Sequence, residues 1–167
     1  EKYLMPYPVL PYMSSRGCYW GKCTFCTHSF IYDSHYRKEN EVRVAEELEH
    51  LSKKYKTKYF TFSDEAISPN AFNRMSKEIL KRGVEMRSLG MLKFESSEKE
   101  TPELFDDIYR AGFLMLFFGL ESANDRILSV IDKGCDQETE RAVLKHSSEA
   151  GIWNHLYLFF GFPTEER

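Results

Sequence analysis

The sequence predicts an α/β fold, an open, partial barrel of the TIM type built from parallel βα units, with about five strands present. Three predicted helices end at a glycine and lead into an apolar segment, at Gly83, Gly112 and Gly151. These segments are apolar almost throughout, which is typical of parallel strands covered by helices. Five strands are too few to close an eight-stranded barrel, so we expect the sheet to remain open.

The chain has 167 residues, 42% of them hydrophobic, which is enough for one globular domain with a sizeable core. Residues 1–13 carry three prolines and are predicted to be an extended lead-in or the end of a linker. Residues 14–167 are predicted to form the core, with a first strand just before Cys18. The final residues are typical of the end of a strand, so we expect this core to be truncated at its C-terminal end.

The remaining elements follow in order along the chain. A helix is predicted over 41–55, because Val44, Leu48, Leu51 and Tyr55 recur on one helical face. Ser68, Thr101 and Asp136 are predicted to cap three later helices. The predicted strands cover residues 58–62, 84–92, 113–121 and 155–162, and the later helices cover 68–83, 101–112, 124–134 and 136–151.

The composition limits the partners that we expect. A formal net charge of -3 argues against a nucleic-acid-binding domain. No apolar run approaches the ~20 residues of a membrane helix, and no secretion signal is visible. We therefore expect a soluble, cytoplasmic protein with no membrane or nucleic-acid partner.

Three of the four cysteines, Cys18, Cys23 and Cys26, lie within nine residues. Such crowding argues against disulfides and favours metal binding in a reducing compartment. Four interpretations remain: a structural zinc with His28 as fourth ligand, a catalytic zinc, an iron–sulfur cluster with one iron free, or inert packed thiols. Cys135 is predicted to be a free thiol with no catalytic role.

Polar residues follow each predicted strand. The cysteine loop follows the first, "SDE" the second, Lys93 the third, "GLES" the fourth and "GFPTEE" the fifth. Loops at the carboxyl ends of parallel strands converge, and active sites lie there in βα folds. We therefore expect the chemistry at this edge of the sheet.

The segment "SSRGCYWGKCTFC", followed by "FTFSDE", "GLESANDRIL" and "GFPTEE", resembles the radical S-adenosylmethionine (radical SAM) enzymes from about residue 12 to 166. It is most similar to the branch whose members often carry a cobalamin-binding domain. The resemblance implies a [4Fe-4S] cluster held by Cys18, Cys23 and Cys26, with S-adenosylmethionine chelated by the fourth iron. The family's usual pattern is C-x3-C-x2-C, and we expect Gly21 to help the loop absorb the extra residue.

In the family, an electron from the reduced cluster cleaves S-adenosylmethionine to methionine and a 5'-deoxyadenosyl radical, which abstracts hydrogen from a substrate. The resemblance therefore implies an oxygen-sensitive enzyme with an electron donor and a small-molecule or peptide substrate. Some relatives hold cobalamin in a domain that would lie outside this chain. The uncovered edge of the fifth strand is a further expected contact surface.

The resemblance also assigns residues to the methionine part of S-adenosylmethionine. Ser63, Asp64 and Glu65 occupy the place from which relatives accept hydrogen bonds from the ammonium group. Lys133 stands where some relatives place a cation opposite the carboxylate.

Other residues correspond to the nucleoside part. Phe25 precedes the last cysteine and is implied to lie by the adenine, with Phe159 as a second apolar contact. Glu121, with Ser122, is implied to face the ribose hydroxyls, since a carboxylate after an apolar strand is costly unless it faces a polar site. Tyr157 stands where some relatives have a polar residue.

The alternative function is a non-enzymatic interaction module in which Cys18, Cys23, Cys26 and His28 bind zinc.

Overall fold

The computed structural model describes residues 6–31 and 35–165 and confirms the predicted α/β class. Its main sheet has five strands, all parallel, in the order β1-β4-β5-β6-β7. The strands are β1 (Val9–Tyr12), β4 (Tyr59–Phe62), β5 (Arg87–Leu92), β6 (Phe113–Glu121) and β7 (Trp153–Leu158). Two short strands, β2 (Ser15–Arg16) and β3 (Arg37–Lys38), form a separate antiparallel pair.

The helices pack against the sheet and against one another. They are α1 (His28–Ile31), α2 (Glu41–Tyr55), α3 (Pro69–Arg82), α4 (Pro102–Arg110), α5 (Asp125–Val130) and α6 (Gln137–Glu149). The main core contains buried side chains of α2, α3, α4 and α6 together with those of the strands. A smaller cluster joins Ile127, Leu128 and Ile131 of the α5 region to Phe159 and Phe162 after β7.

The three predicted N-caps are confirmed. The Ser68 side chain accepts from the backbone N–H of Ala71, and the Thr101 side chain accepts from that of Leu104. Asp136 caps α6 by accepting from the N–H of Thr139 at 2.8 Å. Each cap satisfies a backbone donor that the first turn of a helix leaves without an intrahelical partner.

The sheet begins earlier than the sequence predicts. Just before Cys18 lies only the short strand β2, which belongs to the separate pair, and the first strand of the main sheet is β1, within the segment expected as a lead-in. Pro11 is compatible with β1 because this is an edge strand, where only one side of the backbone pairs. Residues 1–5 of the expected lead-in lie outside the described residues.

The fifth strand of the sheet, β7, starts two residues before the predicted position and ends at Leu158. It lies at the other edge of the sheet and pairs only with β6 among the described residues. Trp153 at its start is 75% exposed. Contact of this edge with another molecule stays a prediction.

No helix in the described ranges is long and apolar enough to cross a membrane.

Candidate functional site

A cavity of about 210 Å³ lies at the carboxyl edge of β5 and β6, where the sequence predicts the chemistry. Polar and sulfur-bearing side chains from four separate loops line it. From the predicted site it contains Cys18, Cys23, Cys26, Phe25, Glu65, Glu121 and Lys133, and His28 also lines it. Ser63, Asp64, Ser122 and Phe159 are not part of its lining. We call this space the cysteine cavity.

The cysteine loop is anchored to the end of α5. The Trp20 Nε1–H donates to the backbone oxygen of Asp132 at 2.8 Å, and the Thr24 N–H donates to that of Ile131 at 3.0 Å. A Cβ on Gly134 would overlap the Trp20 ring, so this glycine makes room for it. The longer Cys18 to Cys23 interval is thus accommodated by a tryptophan that packs on a distant turn. Gly21, with a φ of 63°, supplies the left-handed backbone that the loop requires.

Two ammonium groups and two carboxylates line the cavity beside the three thiols. Burial raises the pKa of Cys23, and the ammonium groups of Lys133 and Lys93 act in the opposite direction. Within the described ranges, no three His, Cys, Asp or Glu side chains are placed to hold a single metal ion. A zinc site needs its ligands to converge on one point, so this arrangement gives the zinc alternative no support.

Glu121 and Lys133 form an ion pair in the wall of the cysteine cavity. The Lys133 Nζ donates to the Glu121 Oε1 at 3.1 Å, and both side chains are largely buried. Glu121 has a φ of 61°, at a register shift between β6 and β7. Such irregularities re-aim side chains, and a non-glycine residue in this region is strained. A Cβ on Gly119 would lie 2.7 Å from the Lys133 Nζ, so Gly119 leaves space for the pair.

The "SDE" segment divides into three different environments. Asp64 is buried and accepts from the Ser14 N–H, the Ser14 hydroxyl and the Ser15 hydroxyl at 2.6 to 3.2 Å. Ser63 donates to the backbone oxygen of Tyr12. Only Glu65 reaches the cysteine cavity, where its Oε2 also accepts from the Gly17 N–H at 3.0 Å. The role of all three toward the methionine ammonium stays a prediction.

The predicted nucleoside contacts lie beside the cavity. Phe25 and Phe159 meet edge to face with ring centroids 4.9 Å apart, although only Phe25 lines the cavity. Ser122 is buried, and its N–H donates to the Leu120 oxygen at 2.7 Å. Tyr157 also lines the cavity, next to the strand that carries Glu121.

The family model described as the Radical SAM superfamily matches residues 12–167 of this sequence. The chain belongs to the radical SAM superfamily. Members of this superfamily use an iron–sulfur cluster and S-adenosylmethionine. The predicted family, and the radical SAM character of the core, are therefore confirmed.

Named relatives of this radical SAM chain include two methyltransferases. An uncharacterized methyltransferase of Pyrococcus horikoshii is 27% identical over 165 residues, which are 98% of this chain and 35% of the relative. The bacteriochlorophyllide d C-12(1)-methyltransferase of Chlorobaculum tepidum is 28% identical, over 94% of this chain and 34% of the relative. The chain thus spans about a third of the length of the curated relatives it matches.

A solved structure shares the fold of this radical SAM chain. The cobalamin-dependent S-adenosylmethionine radical enzyme OxsB, with aqua-cobalamin and S-adenosylmethionine bound, superposes with a TM-score of 0.75 at 19% identity. The match covers 90% of this chain and 23% of that one. The likeness supports the open parallel sheet described above.

The residues of this radical SAM chain fit the family's cofactors. Cys18, Cys23 and Cys26 supply the soft thiolate donors that iron–sulfur clusters require, and they share one cavity. Lys93 and Lys133 bring buried positive charge to the same space, which suits an assembly of thiolates and sulfide. The paired Glu121 adds a carboxylate that can accept hydrogen bonds from hydroxyl groups.

Sequence reasoning missed two features of the wall. Trp20 was treated only as part of the loop, and Lys93 only as a polar residue after a strand. Lys93 is 6% exposed, its Nζ lies 4.5 Å from the Trp20 ring centroid, and burial lowers its pKa. The signal that could have indicated a role for Trp20 is the extra residue between Cys18 and Cys23, because the loop needs additional packing to hold it.

Cys135 lies outside the cavity, and burial raises its pKa to about 12.

Proposed function

We propose that this chain is the core of a radical SAM enzyme that cleaves S-adenosylmethionine reductively to begin radical chemistry on a substrate. The observation that carries the proposal is a single cavity lined by Cys18, Cys23, Cys26 and the Glu121–Lys133 ion pair. When bound, the cluster and S-adenosylmethionine supply the electron transfer and the radical chemistry. The chain's own residues bind, orient and shield them.

Each wall of the cavity has a separate task in this proposal. The three thiolates would hold three irons of the cluster and leave the fourth for S-adenosylmethionine. Lys133 holds Glu121 through one carboxylate oxygen, and the other oxygen keeps the capacity to accept hydrogen bonds from the ribose hydroxyls. Phe25, supported by Phe159, offers an apolar surface to the adenine and keeps water away from it.

The activity of the whole protein is a broader proposal. The two curated relatives are named as methyltransferases, which favours methyl transfer as the reaction that this core serves. We infer that the larger protein uses cobalamin in a domain outside this chain, and that it operates with an electron donor and is oxygen-sensitive. A cytoplasmic location and an unidentified small-molecule or peptide substrate complete this proposal.

Anaerobic reconstitution with iron and sulfide tests the function. We expect the wild-type chain to bind about four irons and to show a cluster spectrum that changes when S-adenosylmethionine is added. With a strong reductant, methionine and 5'-deoxyadenosine should appear together. Binding of one zinc and no iron would overturn the proposal.

The chain contains its own matched control for the cysteines. Alanine at Cys18, Cys23 or Cys26 should abolish cluster assembly, whereas Cys135→Ala should leave the iron content and the spectrum unchanged. The variant His28→Ala tests the zinc alternative, which requires His28 as its fourth ligand. Retention of the cluster in His28→Ala supports the radical SAM function, and loss of all bound metal would contradict it.

A further inference from the structure

Lys93 is a buried ammonium group that lacks a carboxylate partner among the residues the structure describes. Its side chain follows β5 into the cysteine cavity, and the residue is 6% exposed. The Nζ donates to the neighbouring Phe94 oxygen at 2.6 Å and lies 4.5 Å from the Trp20 ring centroid. A carbonyl and an aromatic face stabilise the charge in part but do not neutralise it.

Lys133, in the same cavity, is a buried ammonium group that does have a carboxylate partner, and it serves as the comparison for Lys93. Its ammonium is equally buried and is paired with Glu121 at 3.1 Å. A buried charge without a counterion is destabilising even after the protein relaxes. The Glu95 and Glu100 carboxylates act on Lys93 electrostatically, but neither forms an ion pair with it, so this ammonium still has room for a counterion in the cavity.

A cluster bound by the three cysteines would supply this anion. Lys93 and Lys133 are the two cations that act on the Cys23 thiol, and all three side chains line one cavity. Three thiolates outweigh the positive charge of an oxidised four-iron core, so the bound assembly is an anion, and one added electron makes it more negative. A fixed cation beside it stabilises the reduced form more than the oxidised form.

We propose that Lys93 is the buried counter-cation of the cluster, held in place by Trp20, and that it raises the cluster's reduction potential. The proposal rests on the proposed function, because it needs a cluster on Cys18, Cys23 and Cys26. Lys93 is a positioning residue in this role and acts through space. The step concerned is the gain of one electron by the cluster from an external reductant.

Potentiometric titration of the reconstituted protein, followed by electron paramagnetic resonance without S-adenosylmethionine, tests the proposal. Lys93→Met and Lys93→Gln remove the charge, and glutamine keeps a donor for the Phe94 oxygen. Both should move the midpoint potential to more negative values, whereas Lys93→Arg should stay near wild type. The control is Lys145→Met, at an exposed lysine paired with Glu149, which should cause no shift.

The other anion that could pair with Lys93 is the carboxylate of S-adenosylmethionine. The second measurement is therefore the dissociation constant of S-adenosylmethionine for each Lys93 variant. A shifted potential with unchanged affinity supports the proposal. Unchanged potential with weakened affinity assigns Lys93 to that carboxylate and overturns the proposal. No change in either quantity overturns it as well.

Iron content separates the remaining outcomes. If both charge-removing variants lose iron and Lys93→Arg restores it, the ammonium is needed to hold the cluster, which supports the proposal. Failure of arginine to restore iron would contradict it. Absence of a cluster in the wild-type protein is a failure of the proposed function itself and is recognised before any Lys93 variant is compared.

Discussion

The ends of β4 and β6 each place a carboxylate at the carboxyl edge of the same parallel sheet, but the two carboxylates have different surroundings. Asp64, after β4, accepts three hydrogen bonds from Ser14 and Ser15 and does not line the cysteine cavity. Glu121, at the end of β6, lines the cavity and uses one oxygen for Lys133.

The difference between the two carboxylates follows from the hydrogen-bond donors that surround each of them. Asp64 ties β2, at the start of the cysteine loop, to the main sheet through three hydrogen bonds from neighbouring donors. Among the residues that the structure describes, Glu121 pairs with the Lys133 ammonium alone and keeps acceptor capacity for a ligand. A position at the end of a strand therefore predicts that a carboxylate lies near the site. Its hydrogen-bond partners within the protein decide whether it can also bind a ligand.

The largest expected effect is on stability at Asp64. Asp64→Ala leaves three buried donors without their acceptor, and we expect the free energy of unfolding to fall by about 3 kcal/mol or more. Urea denaturation of the metal-free chain measures this. The neighbouring Ser63→Ala, at an exposed side chain, should cost much less. Equal losses at the two positions would remove the structural role that we assign to Asp64.

Glu121→Gln should have the largest effect on cofactor binding. It keeps the shape of the side chain but removes the charge that pairs with Lys133 and accepts from the ligand. A charged hydrogen bond contributes about 1.5 kcal/mol or more, so S-adenosylmethionine should bind at least about tenfold more weakly. Calorimetry or spectral titration of the reconstituted protein measures the affinity.

The matched variant for this measurement is Asp64→Asn, which removes a charge after β4. It should lower stability and, because Ser14 and Ser15 engage this carboxylate, weaken S-adenosylmethionine binding much less than Glu121→Gln does, in contrast to the sequence-based prediction that Asp64 accepts from the methionine ammonium. A comparable loss of affinity in both variants would mean that the contrast between the two carboxylates is wrong.

Gly119→Ala changes the space around the ion pair without changing its charges. The new methyl group would crowd the Glu121 carboxylate and the Lys133 ammonium, so one of them must move. Overpacking costs of about 1 kcal/mol correspond to about fivefold weaker binding of S-adenosylmethionine. Unchanged affinity would show that the position of the pair does not matter for the ligand.

A third carboxylate, Glu140 of α6, is expected to affect the pH dependence of stability rather than cofactor binding. Burial raises its pKa to about 7, so the folded chain retains a proton that the unfolded chain releases above about pH 4.5. The free energy of unfolding should therefore fall as pH rises from about 4.5 to 7. Urea midpoints across this range should change less steeply in Glu140→Gln, and an identical slope would contradict the prediction.

Local patterns predicted the fold well because caps, helical periodicity and apolar runs depend on neighbouring residues. The helix over 41–55 and the strand over 113–121 have the bounds that the sequence indicates. The start of the sheet was misplaced, because Pro11 indicates extended chain without indicating that it pairs. The cap at Asn40, which accepts from the N–H of Val42, was not anticipated.

The site was predictable in its location and less so in its contacts. Cysteine spacing and strand ends place Cys23 and Glu121 at one edge of the sheet, the family resemblance adds Lys133, and all three line one cavity. The three hydrogen bonds of Asp64 and the packing of Trp20 under Gly134 join residues that are far apart in the chain. No local pattern encodes such pairings.

The anchoring of the cysteine loop has a consequence for biosynthesis. Trp20 and Thr24 find their partners at Asp132 and Ile131, more than a hundred residues later in the chain. The loop cannot take its final shape on the ribosome until α5 has emerged and packed. We therefore expect a cluster to assemble on the complete cysteine loop only after α5 has been synthesised.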